Sequence, residues 1–514
     1  MKRSPRVVSV IDIGSSFVRM GVYQPGRDGV ETLDMLEYPT RIGHEAFTEG
    51  RIRADTLREL TGALRGYSQV MKEYGVNEYR AVATTALREA ENRPYVIDQL
   101  KTQNGLVVSV LEDGEESALI YAEMLRSPLL KKNTMLAYIG TGSVGVAEAS
   151  DHAVSRVCSI RLGFLKLGEI LRELEDQTTH FHTVVEEYVE TYFRRLNRPF
   201  GRAGLDSLML TGRELETIAP LCGAALEQGA YRLERAQLDE LYRRIKTMGV
   251  AAIAGQYGLT EEVAAQLLPM IAIYRKIMGL TKAERIVAPR LDLMDILAAQ
   301  LLIPARRRDF ETAQRDGALR CAGRLAETRH ADLAHARRVS DWAVLLFEKL
   351  KKLHGVSGKR RILLECAALL HETGESINGK STADAAYNLI RQTYLYGMSE
   401  EETLLTAEIA RYANWHEGID APRENLPEKQ RLLVDKLAAI LMLANALDES
   451  HRGKVAELKL KLDEKQLVVT ARAAPGSGGA DLLLEKWAFG ECAPFFEEVF
   501  GVQPVFVGKT ALPK

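Results

Sequence analysis

Apolar positions along the first 150 residues fall into short runs separated by turn residues. The segment VVSVIDIGSSFVRMGVYQ (7–24) is an apolar run, a Gly-Ser turn and an alternating run, which predicts a β-hairpin. YRAVATTALREA (79–90) predicts a strand running into a helix, and helical patterning continues through NRPYVIDQLKTQNG (92–105). LVVSVLEDG (106–114) predicts another strand. EESALIYAEMLRSP (115–128) predicts a helix whose leading Glu115 and Glu116 complement the positive end of its dipole. MLAYIGTGSVGVAEAS (135–150) then repeats the opening shape of strand, glycine turn and strand. The turns at Ile11–Ser16 and Ala137–Ser143 read as an internal duplication, two similar α/β lobes facing one cleft.

From about 160 to 305 the pattern is mixed and mostly helical. LMLTGRELETIAPL (208–221) and RIVAPRLDLMDILA (285–298) each predict a strand, a turn and a helix start, and RRLNRPFGRAG (194–204) a basic surface loop. From about 306 apolar residues recur at the helical period through four long segments, 330–355, 359–374, 400–418 and 428–453. KLKLDEKQLVVTARA (459–473), a loop APGSGGAD (474–481) read as a hairpin loop, a helix and a last strand make a small α/β appendix. The expected divisions are lobe I at 1–128, lobe II at 129–305, a helical domain at 306–453 and the appendix at 454–514.

A chain of 514 residues is too long for one core. Its net charge of −2 gives no global pull toward DNA or an acidic membrane surface. No run is long and apolar enough to span a membrane. Five scattered cysteines without a CxxC pair fit reduced thiols of a cytoplasmic protein better than a disulfide framework or a zinc site.

Glycine-rich turns offer backbone N–H groups to a phosphate. Gly14, Ser15 and Ser16 in one turn and Gly140, Thr141, Gly142 and Ser143 in the other suit that role, and they equally suit plain hairpin closure. Asp12 ends a buried apolar run, where a carboxylate needs a cation or local N–H partners. Arg88 offers an always-charged planar fork for phosphate oxygens, with Arg93 a second candidate; Arg19 lies on a returning strand and can face either way.

Laid out in this order, the motifs resemble the exopolyphosphatase/guanosine pentaphosphate phosphohydrolase (Ppx/GppA) family. IDIGSSFVRM (11–20) and IGTGSVG (139–145) resemble its two phosphate loops. ATTALREAENR (83–93) resembles its arginine segment, and LEDGEESALIYAEML (111–125) its catalytic-glutamate segment. LLHETG (369–374), IARYANWHEG (409–418) and LANALDESHRG (443–453) resemble its HD-like helical domain. The resemblance implies actin-like (ribonuclease H-like, ASKHA) duplicated lobes, an all-α HD-like domain and a homodimer. It also implies Mg²⁺-dependent hydrolysis of a terminal phosphoanhydride of polyphosphate or guanosine pentaphosphate. Under it Asp12 holds Mg²⁺, Glu116 is the general base, and Arg88 with the two loops holds phosphate.

Several positions depart from the family pattern. Tyr138 stands where most members have an Asp, Ala118 where an arginine is usual, and TGREL (211–215) where a longer glycine-rich loop is usual. HD phosphohydrolases bind metal through His…His-Asp…Asp; His335, His371, Glu372 and Asn445 stand at those places, and the residues themselves read as a capping or core arrangement. The helical domain is then a groove extension or a dimer interface. Arg306, Arg307, Arg308 and Lys359, Arg360, Arg361 are either a path for a polyanion or solvated helix ends. The alternatives are a weakened member that binds polyphosphate or a (p)ppGpp-type nucleotide as a regulator, and an actin-like kinase, for which TGREL is a poor adenosine loop.

Overall fold

The computed structural model describes residues 6–27, 29–175, 177–197, 200, 204–377, 382–413, 426–475 and 482–509. The chain divides into two compact units, Met1–Asp316 and Gly317–Lys514, with the division inside the helix Pro304–Thr328.

The N-terminal unit holds two sheets. The run VSVIDI forms β1 (Val8–Ile13), which is buried along its whole length, because it lies between β2 (Phe17–Pro25), antiparallel to it, and a parallel strand on its other side. With β3 (Val30–Pro39), β4 (Glu78–Ala83) and β5 (Val108–Val110) the order is β3-β2-β1-β4-β5. The second sheet contains β6 (Thr134–Ile139), β7 (Val144–Ser150), β8 (Ala153–Ile160), β9 (Ser207–Thr211), β10 (Ala230–Glu234) and β11 (Arg285–Pro289), in the order β10-β11-β9-β6-β7-β8. Read from β8, the series β8-β7-β6-β9-β11 repeats the first sheet in order and in strand direction, with β10 added antiparallel at the outer edge. The duplication legible in the two hairpins therefore extends through both sheets. The edge strand β10, with its short and weakly patterned sequence AYRLE, carried no clear signal of its own. Each sheet packs its own apolar core.

Two helices cross between the lobes. The helix Asp113–Arg126 follows the first sheet in sequence yet packs on β6, β7 and β8. The helix Leu293–Leu302 follows the second sheet and packs on β1, β2 and β3, so residues placed with lobe II by sequence order contribute to the first lobe's packing. Their starts, with Glu116 and Asp292, are thereby carried to the cleft. Lys166 to Glu89 (2.5 Å) and His44 to Glu169 (2.8 Å) join the lobes beside it.

The C-terminal unit packs the helices Leu333–Lys349, Arg361–Leu370, Glu400–Ala413 and Glu428–Ala446 together, with Thr382–Arg391 on Glu400–Ala413. The first predicted helical segment ends earlier than its pattern, at Lys349, and a short turn Lys351–His354 closes on left-handed Gly355. β12 (Val455–Leu462) and β13 (Gln466–Ala473) form a hairpin, and β14 (Gln503–Lys509) pairs parallel with β13. A parallel neighbour needs a crossover, supplied by the helix Leu483–Phe500. The loop 474–481 therefore joins a strand to a helix and is not a hairpin loop; most of it lies outside the described residues, as do the end of segment 409–418 and much of 194–204. Arg194 and Arg195, read as part of a loop, belong to the last turn of the helix Phe181–Asn197.

The turn between β6 and β7 is set by a close approach. The amides of Leu165 and Lys166, at the start of the helix Phe164–Glu175, donate to the carbonyl of Thr141 at 3.0 and 3.1 Å. Gly163 makes this possible: a Cβ there would lie 2.2 Å from the carbonyl oxygen of Gly140 and 2.5 Å from the backbone of Thr141. Gly163→Ala is expected to destabilise the protein by about 1–3 kcal/mol in urea unfolding, because backbone rather than a side-chain tip must move.

Candidate active site

The ends of β1, β4, β6 and β9 meet at a cavity of about 100 Å³ lined by Asp12, Ser15, Glu116, Tyr138, Thr141 and Glu214, among others. The two glycine turns form its floor and have the same closure: the amide of Gly14 donates to the carbonyl of Phe17 (3.0 Å), and that of Gly140 to Ser143 (2.8 Å). The hydroxyls of Ser15 and Thr141 lie 2.8 Å apart and tie one turn to the other. Gly14, Ser15, Ser16, Gly140 and Thr141 line the cavity as the sequence predicts. Gly142 and Ser143 do not. Gly142 is a contact residue, where a Cβ would meet the Thr85 side chain at 2.3 Å, and Ser143 closes the turn with its carbonyl.

Glu116 is buried and aimed into the cavity from the first turn of the helix Asp113–Arg126. Its Oε1 accepts a hydrogen bond from the Tyr138 hydroxyl at 2.8 Å, and its Oε2 lies 3.5 Å from Arg88 Nη1. Burial pushes the Glu116 carboxyl above the usual glutamate range, against the opposing pull of Arg88 and of the Tyr138 hydrogen bond. Burial and the adjacent Glu116 push the Tyr138 phenol well above its ordinary value, so it remains a neutral donor. Glu115 acts on the backbone instead. Its Oε2 accepts from the Glu112 amide at 3.0 Å in a capping box that starts the helix.

Arg88 is not placed for the phosphate contact the sequence predicts. It lies behind Glu116 outside the cavity lining, hydrogen-bonded to Asp113, the Leu111 carbonyl and Thr85 Oγ1. It is a positioning residue. Arg93 donates to the Arg88 carbonyl at 3.4 Å and does not line the cavity. Arg19, whose direction the sequence left open, faces the cavity and bridges two carboxylates, Asp12 Oδ2 at 2.6 Å and Asp292 Oδ2 at 2.5 Å. Asp12 and Arg19 are register partners across β1 and β2. The matching pair in the second sheet is Tyr138 and Gly145. Asp292, which also caps its helix through the Met294 amide at 2.8 Å, and Arg213 at the cavity wall were missed because only the crossing helix and the β9 turn bring them here. Three residues of the basic runs are paired with carboxylates: Arg306 with Glu123, Arg307 with Glu311, and Arg361 with Glu348.

Burial pushes the Asp12 carboxyl up while Arg19 pulls it down. Asp12 Oδ1 is a buried oxygen with no hydrogen-bond partner among the described residues. An unpartnered carboxylate oxygen of this kind suits a hydrated Mg²⁺, an ion that commonly takes one or two carboxylates and keeps several waters.

The Ppx/GppA phosphatase family model matches residues 24–288, and that for Ppx/GppA phosphatase domain III matches 319–473. The chain belongs to the Ppx/GppA phosphatase family. It is 21% identical to a guanosine-5'-triphosphate,3'-diphosphate pyrophosphatase of Photobacterium profundum, over 92% of this chain and 94% of that one. A protein of the same name from Vibrio vulnificus is also 21% identical, over 86% of this chain and 87% of that one. Among solved structures, the Aquifex aeolicus Ppx/GppA family member superposes with a TM-score of 0.51 at 20% identity, covering 59% of this chain and 99% of that one. A Cytophaga hutchinsonii exopolyphosphatase gives 0.51 at 19% identity, covering 57% and 97%. The two repeated sheets are thus the actin-like duplicated lobes of Ppx/GppA proteins.

One further acid lines the cavity of this Ppx/GppA protein. Glu214, on the turn after β9, is buried; Tyr274 donates to its Oε1 at 2.9 Å, and its Oε2 has no hydrogen-bond partner among the described residues. Burial pushes its carboxyl up to about 7. A carboxyl raised in the folded state favours folding below the unfolded value, and that contribution is lost as pH rises from there through the folded value. The Glu214→Gln variant is therefore expected to gain stability over the unmodified protein progressively from pH 5 to pH 8, reaching on the order of 3 kcal/mol, as read by urea unfolding at each pH.

Proposed function

We propose that the cleft hydrolyses a terminal phosphoanhydride of inorganic polyphosphate or of guanosine pentaphosphate. The observation that carries this reading is Glu116: a buried carboxyl group with a raised pKa, held from two sides and facing the space between two phosphate-loop turns. In the reaction, backbone N–H groups of the two turns hold the terminal phosphate, and Ser15 and Thr141 keep the turns at a fixed separation. Glu116 accepts a proton from the attacking water, and Tyr138 and Arg88 hold its oxygens in place. Mg²⁺, held at Asp12 Oδ1, would neutralise charge on the phosphate chain. The names of the curated relatives support the nucleotide as a substrate, and the naming of the Cytophaga protein as an exopolyphosphatase supports polyphosphate.

A second reading is favoured by Tyr138 and Arg19. The carboxylate that would organise a metal in the second lobe is replaced by a phenol, and Arg19 already compensates Asp12. A cleft built this way serves a protein that binds the polyanion and regulates through it. Phosphate release from long-chain polyphosphate and from pppGpp, with Mg²⁺ or Mn²⁺, decides between them. Release by the unmodified protein that falls by about 10²–10⁴-fold in Glu116→Gln supports hydrolysis. Tight binding of either polyanion with no release under either metal overturns hydrolysis and leaves the binding reading.

The pH profile gives a separate check. The base works deprotonated, so the rate climbs as pH rises through the raised pKa of Glu116. The Tyr138 hydroxyl stabilises the charged form, and its removal in Tyr138→Phe is expected to move this limb to higher pH by about one unit. An unmoved limb would show that Glu116 is not the titrating base.

A further inference from the structure

Four acids line the cavity, Asp12, Glu116, Glu214 and Asp292, against two arginines, Arg19 and Arg213. Arg19 is committed to Asp12 and Asp292, and Arg88 stands behind Glu116. Arg213 turns its Nη2 to Glu37 at 3.1 Å. Glu214 alone of the four has no ion pair among the described residues. Its Oε1 accepts from the Tyr274 hydroxyl at 2.9 Å, and its Oε2 is buried without a hydrogen-bond partner. Burial without a cation favours the neutral acid over the carboxylate.

The duplication fixes where this acid stands. Asp12 pairs with Val82 across β1 and β4, and its counterpart Tyr138 pairs with Thr211 across β6 and β9. Three residues on from those partners stand Thr85 and Glu214, and both line the cavity. Thr85 Oγ1 accepts from Arg88 and keeps its own proton to donate. Gly212, also in the lining, makes room for the acid: a Cβ there would lie 2.2 Å from Glu214 Oε1 and 2.6 Å from Oε2. Tyr274 is a neutral phenol, its pKa pushed well up by burial and by Glu214. It donates to Oε1, so the acid's own proton sits on Oε2, a donor with no acceptor of its own.

We propose that Glu214 binds substrate as a neutral carboxylic acid, its Oε2–H donating to a non-bridging oxygen of the phosphate chain, so that the polyanion binds together with a proton. This rests on the reading of the cleft as a phosphate-chain site: in a cavity lined by four acids, one proton removes one opposing charge. A bound anion opposes ionisation of the acid, and by linkage ionisation of the acid opposes the anion. Burial pushes this carboxyl up to about 7, so the exchange acts near neutrality. The other groups facing it do not titrate there. The phenols of Tyr138 and Tyr274 are pushed well up by burial, and the Cys222 thiol beside Tyr274 is pushed up to about 11. Arg213 is a guanidinium and stays charged.

The test is calorimetric titration of the full chain with inorganic tripolyphosphate and Mg²⁺, from pH 6 to pH 8, in buffers of different ionisation enthalpy. Glu116→Gln is the common background, which prevents turnover and removes another raised carboxyl. Adding Glu214→Gln replaces the acid by a donor of the same shape that cannot ionise. At pH 8 the Glu116→Gln protein is expected to take up about one proton more per tripolyphosphate bound than the double variant. Its affinity is expected to fall about tenfold from pH 6 to pH 8 relative to the double variant, which binds the tighter of the two at pH 8. Protons carried by the ligand itself are common to both arms and cancel. Equal proton uptake and equal pH dependence in the two proteins overturn the proposal and leave the phosphate site standing. Binding lost at every pH in the double variant overturns it as well, since Gln keeps a donor there. No binding by either protein overturns both the proposal and the phosphate-site reading. Binding with the expected proton uptake, but no phosphate release by the unmodified chain, supports the proposal and removes hydrolysis alone.

Discussion

Glu116 is a carboxyl group taken out of water, and much of the N-terminal unit is arranged to make that tolerable. Removing an ion from water costs several kcal/mol even after relaxation. The structure answers with a guanidinium on one oxygen and a phenol on the other. Arg88 can serve only because Asp113, Thr85 and the Leu111 carbonyl hold it in turn. Its charge is therefore committed to the protein's own carboxylates. The raised pKa of Glu116 shows the compensation to be partial.

The duplicated sheets give the cleft a symmetric backbone and an asymmetric chemistry. Equivalent positions hold Asp12 opposite Arg19 in the first lobe and Tyr138 opposite Gly145 in the second. Gly145 has a packing reason. A Cβ there would lie 2.6 Å from the hydroxyl of buried Tyr121 and 3.3 Å from Ser117 Oγ, both on the helix that carries Glu116. The helix can lie this close to β7 because the position has no side chain, and that approach brings Glu116 within reach of Tyr138. The first lobe uses the same register position for a cation. Asp12 is thus met by a cation from its register partner, while the equivalent second-lobe position supplies Glu116 with a neutral hydrogen bond and leaves its other oxygen to Arg88.

The C-terminal unit shows a polar cluster of a different kind. Two of its histidines are ordered by outer partners, Asp448 on His335 and the Ala368 carbonyl on His371. From sequence the same residues read as helix caps or core polar groups, because Glu372 and Asn445 look like losses of a metal-binding pattern. The hydrogen-bond directions around them have no trace in residue spacing.

The amino-acid order by itself determined the elements and the repeat: the buried runs at Val8–Ile13 and Thr134–Ile139, the glycine turns after them, and the family to which they belong. It also marked Asp12, a carboxylate at the end of a buried apolar run, whereas Glu116 stood out only through the family resemblance. Hydrophobic period and turn chemistry are local properties, and a chain carries them in the open. Only the tertiary structure decided what each charged side chain faces. Arg88 turned to the protein, Arg19 to the cleft, and Asp292 and Glu214 arrived from segments far along the chain. The crossing helices and the duplicated sheets set those positions, and a charge takes its meaning from partners that only folding brings within a few ångströms.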